Sequence, residues 1–258
     1  MNIKNFLSLF PGTDEYSVAS LFEDILLCQN IDFPVYTDTF YSPQIWKILS
    51  NYTGFKNLKF KFFGITEESE KKLISILPKD FSEDELIPPI KYFIIDGQNK
   101  FKTLEHKDFL GTIMSLGIKR ELLGDLIVSE NICYGIAMEN IFDFLSKNIT
   151  SIGKIPAKLQ EITPEKIPAL NFKEIFQTVS SLRLDSMVSA VTNFSRNESV
   201  ALIESGSVML NYRIEKDKSK PVSPQDIITI SKKGKFIFVD ALGENKKGKI
   251  KIFLKKFI

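Results

Sequence analysis

The most informative stretch of the sequence reads Leu182-Arg183-Leu184-Asp185 and, further on, Ser195-Arg196-Asn197-Glu198. The Ser-x-x-Glu spacing of the second motif predicts a capping box, in which the Ser hydroxyl and the Glu carboxylate each accept a hydrogen bond from a backbone N–H at a helix start. Gly206 stands where the C-terminal cap of that helix is expected. The pattern therefore predicts two short consecutive helices, the second of which begins at Arg196.

Short strands surround these two helices in the predicted C-terminal unit. Its turns carry proline and glycine, which interrupt regular elements. Residues 171–258 are therefore predicted to form a domain of two helices and a small β-sheet. The predicted strands are Phe172–Ser180, Val208–Asn211, Asp226–Ile230, Lys235–Val239 and Lys249–Leu254.

The charge of the chain is unevenly distributed. The whole sequence has 34 basic and 32 acidic side chains, a net charge of +2. Residues 1–169 have 18 basic and 23 acidic side chains, whereas residues 170–258 have 16 and 9, so the net charges are −5 and +7. A basic end is typical of proteins that bind nucleic acids or acidic surfaces. Only four of the basic residues are arginines, whose planar guanidinium suits bidentate phosphate contacts: Arg120, Arg183, Arg196 and Arg213.

Residues 1–78 are predicted to form a small N-terminal α/β domain. Its predicted elements are a helix at Tyr16–Gln29, a helix opened by Ser42-Pro43, a strand at Leu58–Phe63 and a helix at Glu67–Leu77 capped by Thr66. The last helix is predicted because three glutamates lie in its first turn, where the helix dipole favours negative charge.

Residues 79–170 are predicted to form a middle domain that follows an acidic, proline-containing linker at Lys79–Pro89. The order of its predicted elements is βαββαβ, as in ferredoxin-like and RRM-like folds. RRMs bind RNA by stacking bases on sheet aromatics, but neither central strand carries that aromatic-rich signature. The predicted fold class is therefore α+β, without sheet-face RNA binding. The elements are Lys91–Asp96, His106–Leu116, Asp125–Val128, Ile132–Ala137, Met138–Lys147 and Ile155–Ile162.

The sequence lacks the residues that a metal site, a membrane helix or a nucleotide-cofactor site requires. His106 is the single histidine, and the two cysteines, Cys28 and Cys133, have no CxxC neighbour. A zinc site needs about four such ligands, so no metal is expected, and isolated cysteines suit a reducing cytoplasm. No segment approaches the roughly 20 apolar residues of a membrane helix. Because glycine-rich nucleotide loops are also absent, neither a cofactor nor a catalytic residue is predicted; His106 is expected to organise a helix start.

The C-terminal motifs resemble the S4 RNA-binding domain. The resemblance rests on the order and spacing of Arg183-Leu184-Asp185, Ser195-Arg196, Ile203–Val208, Asn211 and Gln225-Asp226. In that family, the two helices and the adjoining loop bind structured RNA. One departure is Ser231-Lys232-Lys233-Gly234-Lys235, which stands where the family shows Arg-Gly-aromatic-Gly-Arg. The charge is kept, but the bidentate contact of the leading arginine is lost.

Further motifs extend the resemblance to the YlmH family over nearly the whole chain. They are Leu104–Gly111, Gly117-Ile118-Lys119-Arg120, Gly124-Asp125 and, in the tail, Lys246-Lys247-Gly248-Lys249. The resemblance implies a cytoplasmic, bacterial, three-part RNA-binding protein, associated with the large ribosomal subunit and with quality control of stalled peptidyl-tRNA. Its expected partners are structured RNA, namely rRNA or tRNA, and the large subunit, with no membrane partner.

The residues expected to contact RNA are drawn from these motifs. Asp185 is expected to orient an arginine, and Ser195 to cap its helix as well as lie at the RNA. Three alternative functions remain open: a protein-interaction adaptor linked to cell division, an S4-containing RNA-modifying enzyme and a DNA-binding helix-turn-helix protein. The expected contacts are Arg183, Ser195, Arg196, Asn197, Asn211, Lys232, Lys233, Lys235, Lys246, Lys247, Lys119 and Arg120.

Overall fold

The acidic and basic parts of the sequence fold into separate units. The computed structural model describes residues 1–97 and 103–257. The chain divides into Met1–Ala169 and Leu170–Ile258, whose net charges are −5 and +7. The predicted N-terminal and middle domains are neighbouring parts of the first unit.

The N-terminal part of the first unit is a three-stranded antiparallel sheet with helices packed on one face. The strand order is β1-β3-β2. The predicted helices near Tyr16 and Pro43 and the strand at Leu58–Phe63 are confirmed, whereas α1 and β1 were not predicted. The elements are α1 (Ile3–Leu7), α2 (Glu15–Ile31), β1 (Val35–Tyr41), α3 (Pro43–Ser50), β2 (Leu58–Phe63) and β3 (Lys72–Pro78).

The predicted helix at Glu67–Leu77 is wrong. Residues 66–71 are turns and bends, and the chain then enters β3, the central strand of the sheet. The five consecutive residues Leu73–Leu77 are buried because both faces of β3 are covered. Such a buried run, apolar except for Ser75, is typical of a central strand and has no helical periodicity. Thr66 does not cap a helix; its backbone N–H donates to the hydroxyl of Ser69 at 2.8 Å.

The middle part of the first unit has the predicted βαββαβ order. Its four-stranded antiparallel sheet has the order β5-β6-β4-β9, so the first and third strands of the motif lie at the centre. The predicted last strand at Ile155–Ile162 is divided between a small hairpin and β9. The elements are β4 (Ile90–Asp96), α4 (His106–Ser115), β5 (Leu123–Ser129), β6 (Ile132–Met138), α5 (Glu139–Asn148), β7 (Ser151–Ile152), β8 (Ile155–Pro156) and β9 (Lys158–Ile162).

Both faces of this middle sheet are covered. On one face Phe93 packs with Phe109 of α4 and with α5 in the larger core. On the other face Ile136 packs with Phe40 and Leu73 of the N-terminal sheet. The N-terminal sheet therefore occupies the face on which an RRM stacks bases, which gives a structural reason for the missing aromatic signature.

The stretch predicted as a linker lies against the N-terminal sheet. Glu83, in a short 3₁₀ turn, accepts a hydrogen bond from Lys61 Nζ at 2.9 Å. The backbone N–H of Ile87 donates to the hydroxyl of Tyr36 at 3.0 Å. These contacts fix the connection between the two sheets of the first unit.

The second unit places two helices on one face of a six-stranded antiparallel sheet. Its strand order is β10-β15-β14-β13-β11-β12. The predicted helices and strands are confirmed, although β14 extends five residues beyond the predicted Val239 and β12 was not predicted. Buried residues of α6 and α7 pack with Phe236, Phe238 and Leu254 of the sheet. The elements are β10 (Phe172–Val179), α6 (Leu184–Thr192), α7 (Arg196–Glu204), β11 (Val208–Leu210), β12 (Arg213–Ile214), β13 (Ile227–Ile230), β14 (Gly234–Glu244) and β15 (Ile250–Phe257).

Both ends of α7 have the expected caps. Ser195 Oγ accepts from the backbone N–H of Glu198, and the Glu198 carboxylate accepts from that of Ser195 at 2.8 Å. Gly206 has φ of 76°, and the backbone hydrogen bonds from Gly206 to Ile203 and from Ser207 to Leu202 form a Schellman motif.

In the part of the chain that the structure describes, no helix has the length and apolar character needed to cross a membrane.

Candidate nucleic-acid interface

Two arginines meet at one buried carboxylate where α6 and α7 begin. Asp185, in the first turn of α6, has a side chain that is only 1% exposed. Its oxygens accept from Nε and Nη2 of Arg183 at 3.3 and 3.2 Å, and from Nε and Nη2 of Arg196 at 3.2 and 3.0 Å. The backbone N–H of Ser186 also donates to Asp185 at 2.9 Å. Asp185 thus orients both guanidinium groups, as expected for one of them.

This cluster, Arg183, Asp185 and Arg196, carries a net positive charge at the surface. Burying a carboxylate is costly unless charged partners satisfy it, and the two arginines supply that satisfaction. The Arg196 side chain is 71% exposed and that of Arg183 is 37% exposed. One buried negative charge therefore holds two partly exposed planar cations in a fixed orientation.

The start of α7 adds polar groups beside this arginine cluster. Ser195 caps the helix, so its hydroxyl serves a structural role, while its exposed position keeps it at the surface. Asn197 is also exposed, one residue after Arg196. The first turn of a helix presents backbone N–H groups and a positive dipole end, which suit an anion.

The lysine turn, residues 231–235 between β13 and β14, lies against the connection between the helices. Lys233 Nζ lies 4.4 Å from the ring centroid of Phe194, the residue before the α7 cap. Lys232 and Lys233 are exposed, and Lys235 Nζ lies 5.1 Å from the ring of Phe257. The cation–π contact at Phe194 brings the lysine turn and the start of α7 to one surface.

Asn211 is engaged within its own unit. Its Nδ2 donates to Asp226 at 2.7 Å, and its Oδ1 accepts from the backbone N–H of Ile227 at 3.0 Å. Asn211 and Tyr212 both have positive φ, as in the type I′ turn that joins two hairpin strands. The side chain therefore stabilises the β11–β12 turn, and its predicted contact with RNA stays a prediction.

Lys246 and Lys247 lie far from the lysine turn. They are exposed at the tip of the β14–β15 hairpin, where the backbone N–H of Lys247 donates to Asn245 Oδ1 at 2.9 Å. The lysine turn and this hairpin adjoin opposite ends of β14. With 11 residues in the strand, the separation along it is roughly 35 Å. The basic residues of the unit therefore form two groups.

Lys119 and Arg120 belong to the first unit, and only Lys119 is exposed. Arg120 is half-buried and donates through Nη1 to the carbonyls of Leu123 and Gly124 at 2.8 and 3.1 Å. Burial lowers the pKa of Arg120, an effect that nearby Asp125 opposes. The guanidinium therefore serves the fold of its own loop, and a phosphate contact by Arg120 stays a prediction that this placement does not favour.

Within residues 1–97 and 103–257, no group of three or more histidine, cysteine, aspartate or glutamate side chains is placed to hold a metal ion. Both cysteines are free and buried, and burial raises the pKa of the Cys28 thiol to about 11. His106 is the first residue of α4, whose capping box is made by Glu105 and Asp108.

Sequence reasoning missed the aromatic partners of the lysine turn. Phe194 directly precedes the capping Ser195, and Tyr212 lies in the β11–β12 turn, where Lys235 Nζ is 5.8 Å from its ring. A phenylalanine just before a helix cap is an available signal, since apolar residues there commonly pack locally. Contact with a lysine 39 positions away in the sequence has no local signal.

Comparison with known proteins finds a family model that matches part of the chain. Residues 89–166 match the family described as "Putative RNA-binding domain in YlmH", which is the region of the middle sheet. These residues make up less than a third of the chain.

One similar protein and one similar solved structure have descriptive names. The chain is 29% identical over 215 residues to the "Ribosome-associated protein quality control protein P2" of Bacillus subtilis (strain 168), covering 83% of this chain and 84% of that protein. The solved "Cell division protein ylmH from Streptococcus pneumoniae" is 26% identical, with a TM-score of 0.47 over 62% of this chain and 99% of that one. The sequence matches confirm the predicted resemblance to the YlmH family.

Proposed function

We propose that this chain is a non-catalytic, cytoplasmic RNA-binding factor whose Leu170–Ile258 unit is an S4-type domain that binds structured RNA. The contact surface consists of the arginine cluster, the start of α7 and the lysine turn. The observation that carries the proposal is the pair of guanidinium groups held by the buried Asp185.

The electrostatics of this surface suit a phosphate backbone. Arginine forms bidentate, charge-assisted hydrogen bonds with phosphate oxygens. Because Asp185 engages Nε and Nη2 of Arg196, that guanidinium is held in place before RNA arrives. Less side-chain entropy is then lost on binding. The +7 charge of residues 170–258 attracts RNA at longer range.

The shape of duplex RNA explains why backbone contacts matter most here. The major groove of an A-form helix is deep and narrow, so proteins bind duplex RNA mainly through its shape, phosphates and 2′-hydroxyls. The candidate surface presents arginines, lysines and helix N–H groups, which fit that mode. We therefore assign Lys232 and Lys233 to phosphate contacts beside the arginine cluster.

The names of the relatives support a cellular setting for this proposed function. The Bacillus subtilis relative is named for ribosome-associated protein quality control, and the family match is to an RNA-binding domain. These names support a ribosome-associated RNA-binding role. Within it, we take rRNA of the large subunit or tRNA as the structured RNA, with a part in quality control of stalled peptidyl-tRNA, as the resemblance to the YlmH family implies. The acidic Met1–Ala169 unit would then contact a neighbouring tRNA or ribosomal surface.

The direct test compares two adjacent residues with different roles. Arg196→Ala should weaken binding to an rRNA hairpin about tenfold, because a charge-assisted hydrogen bond is lost. The buried carboxylate keeps Arg183 and the Ser186 N–H. Ser195→Ala should lower the free energy of unfolding by about 1 kcal/mol through loss of the cap and leave hairpin affinity nearly unchanged. The readouts are fluorescence anisotropy and chemical denaturation.

A second measurement addresses the competing adaptor function. The chain should co-sediment with ribosomal large subunits, and prior digestion of free RNA should leave that association in place. The Arg196→Ala variant should co-sediment less. If wild type and variant bind hairpin RNA equally and co-sediment equally, the basic surface is only a solvated face, and the proposal fails.

A further inference from the structure

We infer that the outer face of the second unit's sheet is a second RNA-binding surface, which stacks the bases of a single-stranded segment on partly exposed phenylalanines, of which Phe176 is the most exposed. This inference rests on the proposed RNA binding of the chain. It concerns the face of the sheet opposite α6 and α7. The outer face is defined here by Phe172, Phe176, Lys235, Lys251, Phe253, Lys255 and Phe257.

The alternation along β15 places lysines and phenylalanines on the same side. Residues two apart in a strand share a face and lie about 7 Å from each other. Ile252 and Leu254 are buried against the helices. The intervening positions Lys251, Phe253, Lys255 and Phe257 therefore face outward, as a regular lysine–phenylalanine series.

The edge strand β10 adds two more phenylalanines, Phe172 and Phe176, to the same face. Its register with β15 sets Phe172 opposite Phe257 and Phe176 opposite Phe253. The rings of Phe176 and Phe253 are stacked, with centroids 4.8 Å apart and an interplanar angle of 8°. Phe176 is nevertheless 62% exposed. Since β10 is the edge of the sheet, the outer side of the Phe176 ring is open to a third stacked ring.

The cations on this face already lie close to the rings. Lys255 Nζ is 5.8 Å from the Phe172 centroid, and Lys235 Nζ is 5.1 Å from that of Phe257. Lys235 also belongs to the lysine turn, so the outer face continues the proposed duplex-binding surface. Two carboxylates, Glu174 opposite Lys255 and Asp240 opposite Phe253, lie on the same face.

This composition favours single-stranded RNA over a protein as the occupant. Lysine is depleted in the cores of protein–protein interfaces, yet here lysines lie between the rings. Proteins that bind single strands combine a cationic surface with aromatic side chains on which bases stack, and the stacking tolerates any sequence because every base has a π-face. A structured RNA with a single-stranded extension would engage both faces of the unit.

The test uses the full chain, a fluorescein-labelled oligouridylate and, separately, an rRNA hairpin without single-stranded ends. Phe176→Ala and Phe176→Leu should each weaken oligouridylate binding at least about fivefold, whereas Phe176→Trp should retain it. Phe144→Ala, an exposed phenylalanine of the first unit, is the matched control and should bind like wild type. Hairpin affinity should be unaffected by the Phe176 substitutions but weakened by Arg196→Ala.

The outcomes separate this inference from the proposed function. If the hairpin binds and the oligouridylate does not, or if Phe176→Leu binds it as wild type does, base stacking on the outer face is overturned and the proposed function stands. If light scattering shows a dimer that Phe176→Ala converts to a monomer, the face binds a second copy and the inference is likewise overturned. If neither RNA binds, the proposed function is contradicted, and the inference that rests on it is overturned as well.

Discussion

At the residue scale, the central feature is the shared use of Asp185. A single carboxylate that is almost fully buried accepts hydrogen bonds from two guanidinium groups and one backbone N–H. The sequence alone indicated that Asp185 orients an arginine, because the acid is two positions from Arg183. The second partner, Arg196, lies 11 residues away, and only the packing of α6 on α7 shows that it joins the same carboxylate.

The capping residues of α7 show where local sequence is sufficient. The hydrogen bonds between Ser195 and Glu198 connect residues three apart, so their spacing alone predicts them. Asn211 shows the opposite case. Its amide contacts Asp226 and Ile227, and this pairing depends on the register of two strands that are distant in sequence.

A pH-dependent prediction concerns Asp24 on α2. Burial, with Asp38 and Glu23 nearby, raises the pKa of Asp24 to about 6. A raised carboxyl pKa in the folded state gives stability that is complete below the unfolded pKa of 3.8 and is lost as pH rises through about 6. Asp24→Asn should therefore raise the free energy of unfolding at about pH 8 by about 1 kcal/mol, since partial exposure screens the full effect.

The check for Asp24 is a pair of denaturation curves. The difference between Asp24→Asn and wild type should vanish near pH 4, where the native carboxyl is protonated. Asp143→Asn, at an exposed acid on α5 that is not among the groups near Asp24, is the control and should show little difference across this range. A stabilisation by Asp24→Asn that stays constant with pH would show that the burial of a charge is not its cause.

At the scale of elements, most helices and strands followed local patterns, and the main errors lie in the N-terminal sheet, whose central strand β3 was predicted as a helix. The wrong helix at 67–77 came from three glutamates that resemble a helix first turn. Burial on both faces of β3 outweighed that preference. Strand β1 was missed because its sequence, Val35–Tyr41, interrupts β-branched and aromatic residues with Asp38. Both errors concern the N-terminal sheet, which packs on a second sheet that local periodicity does not indicate.

The lysine turn between β13 and β14 supports an element-scale prediction. Lys232 has φ of 61°, a left-handed conformation that favours glycine. Lys232→Gly should raise the free energy of unfolding by about 0.5–1 kcal/mol through relief of this conformation. Lys232→Ala keeps the unfavourable conformation and should give no such gain. Both variants should weaken hairpin binding and reduce the salt dependence of binding by about one phosphate contact.

The two readouts for Lys232 come from denaturation and from a salt titration of hairpin affinity. A glycine variant that is more stable and binds RNA as tightly as wild type would remove Lys232 from the RNA surface. An alanine variant that binds RNA as tightly as wild type would support the same conclusion. Lys154, which is exposed in the first unit, provides the matched control as Lys154→Ala.

At the scale of the whole molecule, the division of charge matches the division of the fold. The unit Met1–Ala169 has a net charge of −5 and the unit Leu170–Ile258 one of +7. Composition did not show that the N-terminal sheet covers one face of the middle sheet, because that contact joins Phe40 and Ile136 through packing alone. The net charge of +2 is therefore the sum of an acidic unit and a basic one.

The measurement that tests the central claim most directly is the affinity of the full chain for an rRNA hairpin across a series of salt concentrations. If about four to six phosphates are neutralised by the arginine cluster and the lysine turn, the log–log slope should be roughly −3 to −5. Arg196→Ala should make the slope less steep by about one. A flat response in wild type, or an unchanged slope in the variant, would contradict phosphate recognition by this surface.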